Sequence, residues 1–215
     1  MTLRKEKFNK DYFENGVEKG ISLYENFRWM PEVSLPLANF IKQKYTKKIT
    51  PDGSRYDKVL DYGCAKGFLV HALRLLDVTA YGFDTSNYAL KNCHPEVKKY
   101  LFGQRELIPQ IDTIIVKDVL EHFTEELLDK ELKWMHDNCH QMLVVVPLGE
   151  NNKYRIPEYG FDKTHILKEN EDWWINKFRI NRFTIDEFYY KIDCIKRNWH
   201  NHHDYGNAIF FLRRK

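Results

Sequence analysis

Three small residues at alternate positions follow a short apolar run in Val59-Leu60-Asp61-Tyr62-Gly63-Cys64-Ala65-Lys66-Gly67. Glycine and alanine let a backbone turn sharply and approach a ligand closely, and a helix starting directly after the turn aims its N-terminal amides at the same place. A nicotinamide dinucleotide site needs its third small residue one place later. This chain has Phe68 there, whose ring obstructs the helix packing and pyrophosphate approach of that motif. Asp84 stands 23 residues beyond Asp61, at the end of the next apolar run. A carboxylate there accepts hydrogen bonds from both hydroxyls of a ribose and disfavours a 2′-phosphate. Taken singly, the first feature is often only a turn and the second only a helix cap. Their separation and strand contexts favour the ligand-binding reading.

Holding these residues requires strands alternating with helices. Strand signals occur at 58–61, 80–83, 112–116 and 141–146, with a weaker one near 100–102. Helical periodicity occupies 68–76 and 86–93, and a further helix opens at Thr124 and carries Leu128, Leu132, Met135 and Cys139 on one face. Upstream, Ser34 caps a helix with Pro36 in its first turn and a stripe of Leu37, Phe40, Ile41 and Tyr45, and a turn at 51–54 closes that element. After Pro147 the rhythm breaks into a long connection, 148–180, with a helix around Trp173 and Trp174. Adjacent helical residues point about 100° apart, so the two indoles support a lid and do not both cover one ligand. Residues 183–190 and 207–212 read as an antiparallel pair at one edge. The expected fold is Rossmann-like α/β: a mostly parallel seven-stranded sheet with helices on both faces and an antiparallel C-terminal edge strand.

Composition excludes several functions. Lys and Arg number 34 against 31 Asp and Glu, too even a balance for a polyanion groove, so nucleic acid is not an expected partner. Cys64, Cys93, Cys139 and Cys194 are far apart and form no C-x-x-C pair, which fits a reducing cytoplasm and neither a zinc knuckle nor a disulfide framework. No signal-like segment opens the chain, and no apolar run approaches the ~20 residues that cross a bilayer, so no membrane partner is expected and the expected location is cytoplasmic. Aromatic residues make up 15% of the chain and gather at 12–29 and 173–211, where they suit pocket walls.

The segments VLDYGCAKG, AYGFDTSNYAL and IDTIIVKDVLEHF resemble the first, second and fourth motifs of class I S-adenosylmethionine-dependent methyltransferases, over about residues 55–147. Ala65 departs from the usual G-x-G-x-G but is small enough to permit close approach. The resemblance implies S-adenosyl-L-methionine as cofactor, with S-adenosyl-L-homocysteine as product. It places Asp61, Gly63, Cys64, Ala65 and Gly67 along the methionine part, Asp84 on the ribose, and Thr85 against the adenosine. A residue within 104–106 meets the adenine edge, and Lys117 and Asp118 border the sulfonium. The run YFENGVEKGISLYENFRW is similar to leader segments of sugar- and metabolite-modifying members. It implies Arg28 on the methionine carboxylate, with Tyr24 and Trp29 toward the acceptor. The implied division is one methyltransferase domain over 1–215: an N-terminal helical cap over 1–50, the cofactor-binding core over 55–147, and acceptor-side loops with the strand pair over 148–215.

Methyl transfer is an in-line displacement at carbon, so the acceptor is held opposite the sulfur, and an alcohol acceptor also needs a base. His122, after the fourth strand, and His165, in the loop after the fifth, are the candidate catalytic residues. Lys163, Arg197 and His200 are candidates for holding an anionic or sugar acceptor. No metal is expected. The histidines at 200–203 lack a carboxylate or cysteine partner, and an acid-amide pair at Glu150 and Asn151 lies late relative to the fifth strand for a magnesium site with Asp118. The expected activity is methyl transfer to an O or N atom of a small polar metabolite. A sugar, a sugar phosphate or a related anionic precursor of bacterial surface polysaccharide is the preferred acceptor, and the chain acts as monomer or homodimer. RNA or protein methylation, NAD-dependent oxidoreduction and non-catalytic cofactor binding are the alternatives.

Overall fold

β-Branched and aliphatic residues alternate between two buried faces wherever a strand is covered on both sides, and this alternation organises the molecule. The computed structural model describes residues 5–46 and 57–215, so the turn expected at 51–54 lies outside the described residues. In chain order the helices and strands are α1 (Lys10–Glu14), α2 (Pro31–Tyr45), β1 (Lys58–Tyr62), α3 (Phe68–Leu75), β2 (Thr79–Phe83), α4 (Asn87–Lys91), β3 (Leu101–Phe102), β4 (Thr113–Lys117), α5 (Glu125–Asn138), β5 (Gln141–Pro147), β6 (Gly149–Glu150), β7 (Lys153–Tyr154), α6 (Glu171–Ile180), β8 (Phe183–Tyr189) and β9 (Asn207–Arg214).

Seven strands form one sheet in the order β3-β2-β1-β4-β5-β9-β8, and β6 pairs with β7 in a separate hairpin. The first five are parallel. β9 runs antiparallel to both β5 and β8 and inserts between them. β1 pairs with β2 on one side, Asp61 opposite Gly82, and with β4 on the other, Asp61 opposite Ile115. Strand order reverses there, which opens a crevice at the carboxyl ends of β1 and β4.

Alternation along the central strands sends Leu60, Ile114, Val116, Met142, Val144 and Phe210 to one face, where Leu128 and Leu132 of α5 and Trp174 and Phe178 of α6 cover them. Val59, Ile115, Leu143, Val145, Ile209 and Phe211 face the other way, against Leu37 and Ile41 of α2 and Val70 and Leu73 of α3. Helices therefore lie on both faces, as the sequence pattern requires.

Element ends differ from expectation in instructive ways. α2 begins at Pro31, and Ser34 lies inside it. Proline suits a first helical position because its missing N–H would be unpaired there anyway, so the start falls before the apparent cap. Pro36 is consequently interior. Thr124 does cap α5, its side chain accepting from the Leu127 amide at 3.3 Å, with Glu125 and Glu126 in the first turn. No helix among the described residues is long and apolar enough to cross a membrane.

Trp174 is fully buried beside Phe178, while Trp173 is only partly buried. Replacing a buried tryptophan by alanine leaves a cavity that typically costs about 3–5 kcal/mol. Trp174→Ala is expected to lower the unfolding free energy in urea by that amount and Trp173→Ala by clearly less. Equal effects would show that α6 is not anchored through Trp174.

Candidate active site

The bend after β1 is built from left-handed backbone: Gly63, Ala65 and Gly67 have φ of 82°, 48° and 77°. Only glycine adopts such angles freely, and Ala65 is held there by bonding. A side chain at Gly63 would collide with Val119, and one at Gly67 would press on Leu101 at 2.7 Å. The amides of Gly63 and Cys64 both donate to the Phe83 carbonyl, at 2.8 and 3.0 Å. Asp84 completes the junction. Its Oδ2 accepts from the Ala65 amide and its Oδ1 from the Ser86 amide, each at 2.7 Å. Each carboxylate oxygen has a second lone pair to offer a ligand.

A cavity of about 440 Å³ opens beside this junction. One wall is aromatic, from Phe8, Tyr12, Phe13 and Tyr24 of the N-terminal segment. At one end Tyr62 and Arg105 both donate to the buried carboxylate of Glu131, next to Trp134. Asp118 and His122 also line it. Three polar clasps hold the N-terminal segment in place. Lys66 of the bend donates to Glu14 at 2.6 Å and to the Phe27 carbonyl at 2.7 Å. Ser86 donates to the Phe8 carbonyl at 2.5 Å, and Tyr12 donates to Asp162 at 2.8 Å.

Buried charge collects around the cavity. Burial pushes the Asp61 carboxyl up to about 7, against the pull of Lys117 and with added repulsion from Asp84. Burial also raises Asp84, and the amides of Ser86 and Ala65 oppose it. Burial acts on Asp118 in the same direction, but Lys117 at 2.6 Å and Lys196 at 2.5 Å hold its carboxyl well below the usual range. Glu121 is wholly inaccessible, and neither carboxylate oxygen has a hydrogen-bond partner among the described residues. Its carboxyl is pushed up to about 8 by burial and then by Asp118.

Burial, reinforced by His165, pushes His122 down to about 4, so its imidazole is neutral. Burial lowers His165 as well. Bonding fixes both tautomers. Thr164 Oγ1 gives its single proton to Asp162 at 2.5 Å and can only accept from His122 Nδ1 at 2.8 Å. His165 Nδ1 faces the Tyr159 carbonyl at 2.8 Å and must carry a proton too. Both Nε2 atoms are therefore left with a free lone pair.

Of the residues singled out from sequence, Gly63, Ala65, Asp84, Thr85, Asp118, His122 and Tyr24 line the cavity, as do Gln104, Arg105 and Glu106. Asp61 and Cys64 are buried behind the bend, Gly67 heads α3, and Lys117 pairs with Asp118. His165 sits beside His122, ring centroids 4.7 Å apart. Others lie off the cavity wall. Arg28 is exposed, and Trp29 packs edge-on to His71 of α3 with centroids 4.9 Å apart. Lys163 and Arg197 are exposed, and His200 Nε2 is spent on the Ile195 carbonyl at 2.9 Å. From that last segment it is Lys196 that reaches inward. Glu150 lines a second cleft with Arg155 and Glu171, which Asp118 does not share. Sequence reading passed over Glu121, Glu131, Asp162, Lys66 and Lys196, whose importance arises only from burial and long-range pairing.

No protein-family model matches the chain, and no curated relative matches it. Solved structures do. A SAM-dependent methyltransferase from Archaeoglobus fulgidus superposes with a TM-score of 0.60 at 14% identity, covering 83% of this chain and 93% of that one. Magnesium protoporphyrin IX methyltransferase from Synechocystis PCC 6803 with bound SAM gives 0.54 at 16% identity, covering 84% and 80%. The cyclase SpnF gives 0.57 at 13%, covering 83% and 80%. At these identities the likeness establishes the fold, a Rossmann-like sheet shared with SAM-dependent methyltransferases and with at least one cyclase.

Proposed function

We propose that the chain is a SAM-dependent methyltransferase that moves a methyl group to an O or N atom of a small polar acceptor. The observation that carries this reading is the left-handed G-x-A-x-G bend tied to Asp84 at the rim of a switch-point cavity of nucleoside size. Asp84 would hold the ribose, Thr85 and residues 104–106 the adenosine, and Gly63, Ala65 and Gly67 the methionine part. The magnesium protoporphyrin IX methyltransferase structure of this fold, which has SAM bound, supports the same assignment of cofactor.

Aromatic faces from Tyr12, Phe13 and Tyr24 suit a sulfonium, whose positive charge they attract and whose charge vanishes as the methyl leaves. SAM supplies the electrophilic methyl. The chain's own residues orient the acceptor, exclude water beneath the N-terminal segment, and present the neutral His122 at the wall. Rate then comes mainly from alignment of the attacking atom. A sugar or sugar phosphate is the preferred acceptor, since the cavity mixes aromatic walls with Asp118 and His122 as polar contacts. Methyl-labelled SAM incubated with the protein and a protein-free small-molecule extract should yield a labelled small product. A parallel incubation with total RNA and protein that alone took up label would reassign the acceptor, and no label in either incubation would remove the activity.

Ligand binding separates this reading from a nicotinamide enzyme. S-Adenosylhomocysteine should bind the wild type, NAD should not compete, and Asp84→Asn should weaken the complex about ten- to a hundredfold, the usual worth of charged hydrogen bonds. Calorimetric titration checks each. Unchanged affinity in Asp84→Asn would show that the carboxylate serves only to brace the bend.

Asp61 generates a pH prediction. Its carboxyl rises from 3.8 to about 7 on folding, so between those values the folded chain binds the proton more tightly than the unfolded one. The contribution to stability is thus present below about pH 4, falls as pH climbs toward 7, and levels above it. Asp61→Asn removes this slope. Urea unfolding across pH should show the variant gaining on the wild type from about pH 4 to 8, and a constant difference would contradict the assigned shift.

A further inference from the structure

We propose that Glu121, His122 and His165 form a divalent-metal site at the His122 wall of the cavity, with an open coordination position for an oxygen of the acceptor. Naming that oxygen as the acceptor's rests on the methyltransferase reading. The metal site itself does not.

One carboxylate oxygen of Glu121 and one ring nitrogen from each histidine lie within 4.8 Å of one another. Glu121 Oε1 is 3.9 Å from His165 Nε2. Bonds of about 2.1 Å to a tetrahedral ion put ligands about 3.4 Å apart, so small side-chain rotations close the set. Its polarity is one-sided. Both Glu121 oxygens are buried and without a hydrogen-bond partner among the described residues, and both Nε2 atoms are deprotonated because Nδ1 of each ring is engaged. Acceptor atoms crowd here with no N–H or O–H among the described residues directed at the Glu121 oxygens, an arrangement that a cation resolves. The outer partners also match. Metal-bound imidazoles donate their other N–H to a carbonyl or a hydrogen-bonded oxygen, as His165 does to Tyr159 and His122 to Thr164, itself bonded to Asp162.

Nearby positive charge does not occupy the site. The ammonium groups of Lys117 and Lys196 are drawn to opposite oxygens of Asp118. Two imidazoles and one carboxylate suit borderline ions such as zinc or cobalt better than magnesium, which prefers oxygen throughout. Three protein ligands leave at least one position open, and His122, the member that lines the cavity, points to where a ligand enters. A second group, His71, His94 and Glu96, differs in setting. Its imidazoles stack with centroids 3.7 Å apart and its carboxylate is 69% exposed, so it lacks the buried, unpartnered carboxylate that marks the first.

The test uses the full chain, stripped with chelator and titrated with Co²⁺ and separately with Zn²⁺. One equivalent of Co²⁺ should bind and produce a visible d–d absorption band, which Zn²⁺ displaces. Glu121→Gln and His165→Ala should each weaken binding about tenfold or more, and His71→Ala should not. In the metal-free state Glu121→Gln should raise the melting temperature, because it removes a buried unpaired carboxylate. With metal saturating, that advantage should disappear. Failure of the wild type to bind either ion at about 1 mM, or wild-type affinity in either site variant, overturns the proposal. Should one variant not fold, the other decides alone. A parallel titration of the wild type with S-adenosylhomocysteine keeps the outcomes apart: metal binding without nucleoside binding removes the methyltransferase reading and leaves the metal site, and the converse result does the opposite.

Discussion

The bond between the Asp84 carboxylate and the Ala65 amide ties two adjacent strand ends together at the wall of the cavity, and the surrounding site is arranged about it. A chain leaving β1 must reverse into α3 within a few residues, which forces left-handed backbone at positions 63, 65 and 67. Glycine bears this at two of them. At Ala65 the strain is of the order of 1–2 kcal/mol and is offset by a charged acceptor. The same carboxylate receives the Ser86 amide at the entry to α4, so one side chain sets both the bend and the next helix start. A ligand that binds Asp84 therefore joins a junction already rigid, with little ordering left to oppose association.

From this junction the rest of the site is fastened outward. Lys66, carried by the bend, clips Glu14 and the Phe27 carbonyl. Ser86, at the foot of Asp84, holds the Phe8 carbonyl. The aromatic wall thus depends on residues whose own positions depend on Asp84, and the far clasp from Tyr12 to Asp162 links it to the loop carrying Thr164 and His165. Cofactor side and acceptor side are joined through the N-terminal segment as well as through the sheet, so a change in that segment is felt at both.

What could be seen in the sequence follows the same division. β4 and β5 were legible because strands buried on both faces carry unbroken β-branched and aliphatic runs, and Asp84 was legible because its distance from Asp61 is fixed by one strand-helix-strand unit. β3 was faint because only Leu101 and Phe102 pair. The N-terminal segment showed no periodicity because it is held by contacts across 52, 78 and 150 positions of sequence, and such contacts leave no local pattern. Glu121 was passed over for a related reason. A carboxylate beside a histidine usually lies in solvent, and only the packing of residues 162–167 against it, with two amides on its carbonyl, turns it inward.

The concentration of buried ionisable groups argues that this region is shaped for a ligand and not for stability. Asp61 and Glu121 both ionise less readily in place than in water, His122 protonates less readily, and Glu121 lacks a hydrogen-bond partner among the described residues. Each would be replaced without loss by an apolar residue if packing were the sole requirement. The sheet beneath them shows that alternative, with Ile114, Val144 and Phe210 filling its core without a polar atom among their side chains. A fold that packs so cleanly in its sheet leaves these buried ionisable groups as the features to which a ligand would be matched, and since this fold also carries a cyclase, the identity of that ligand has to be read from these side chains rather than from the sheet.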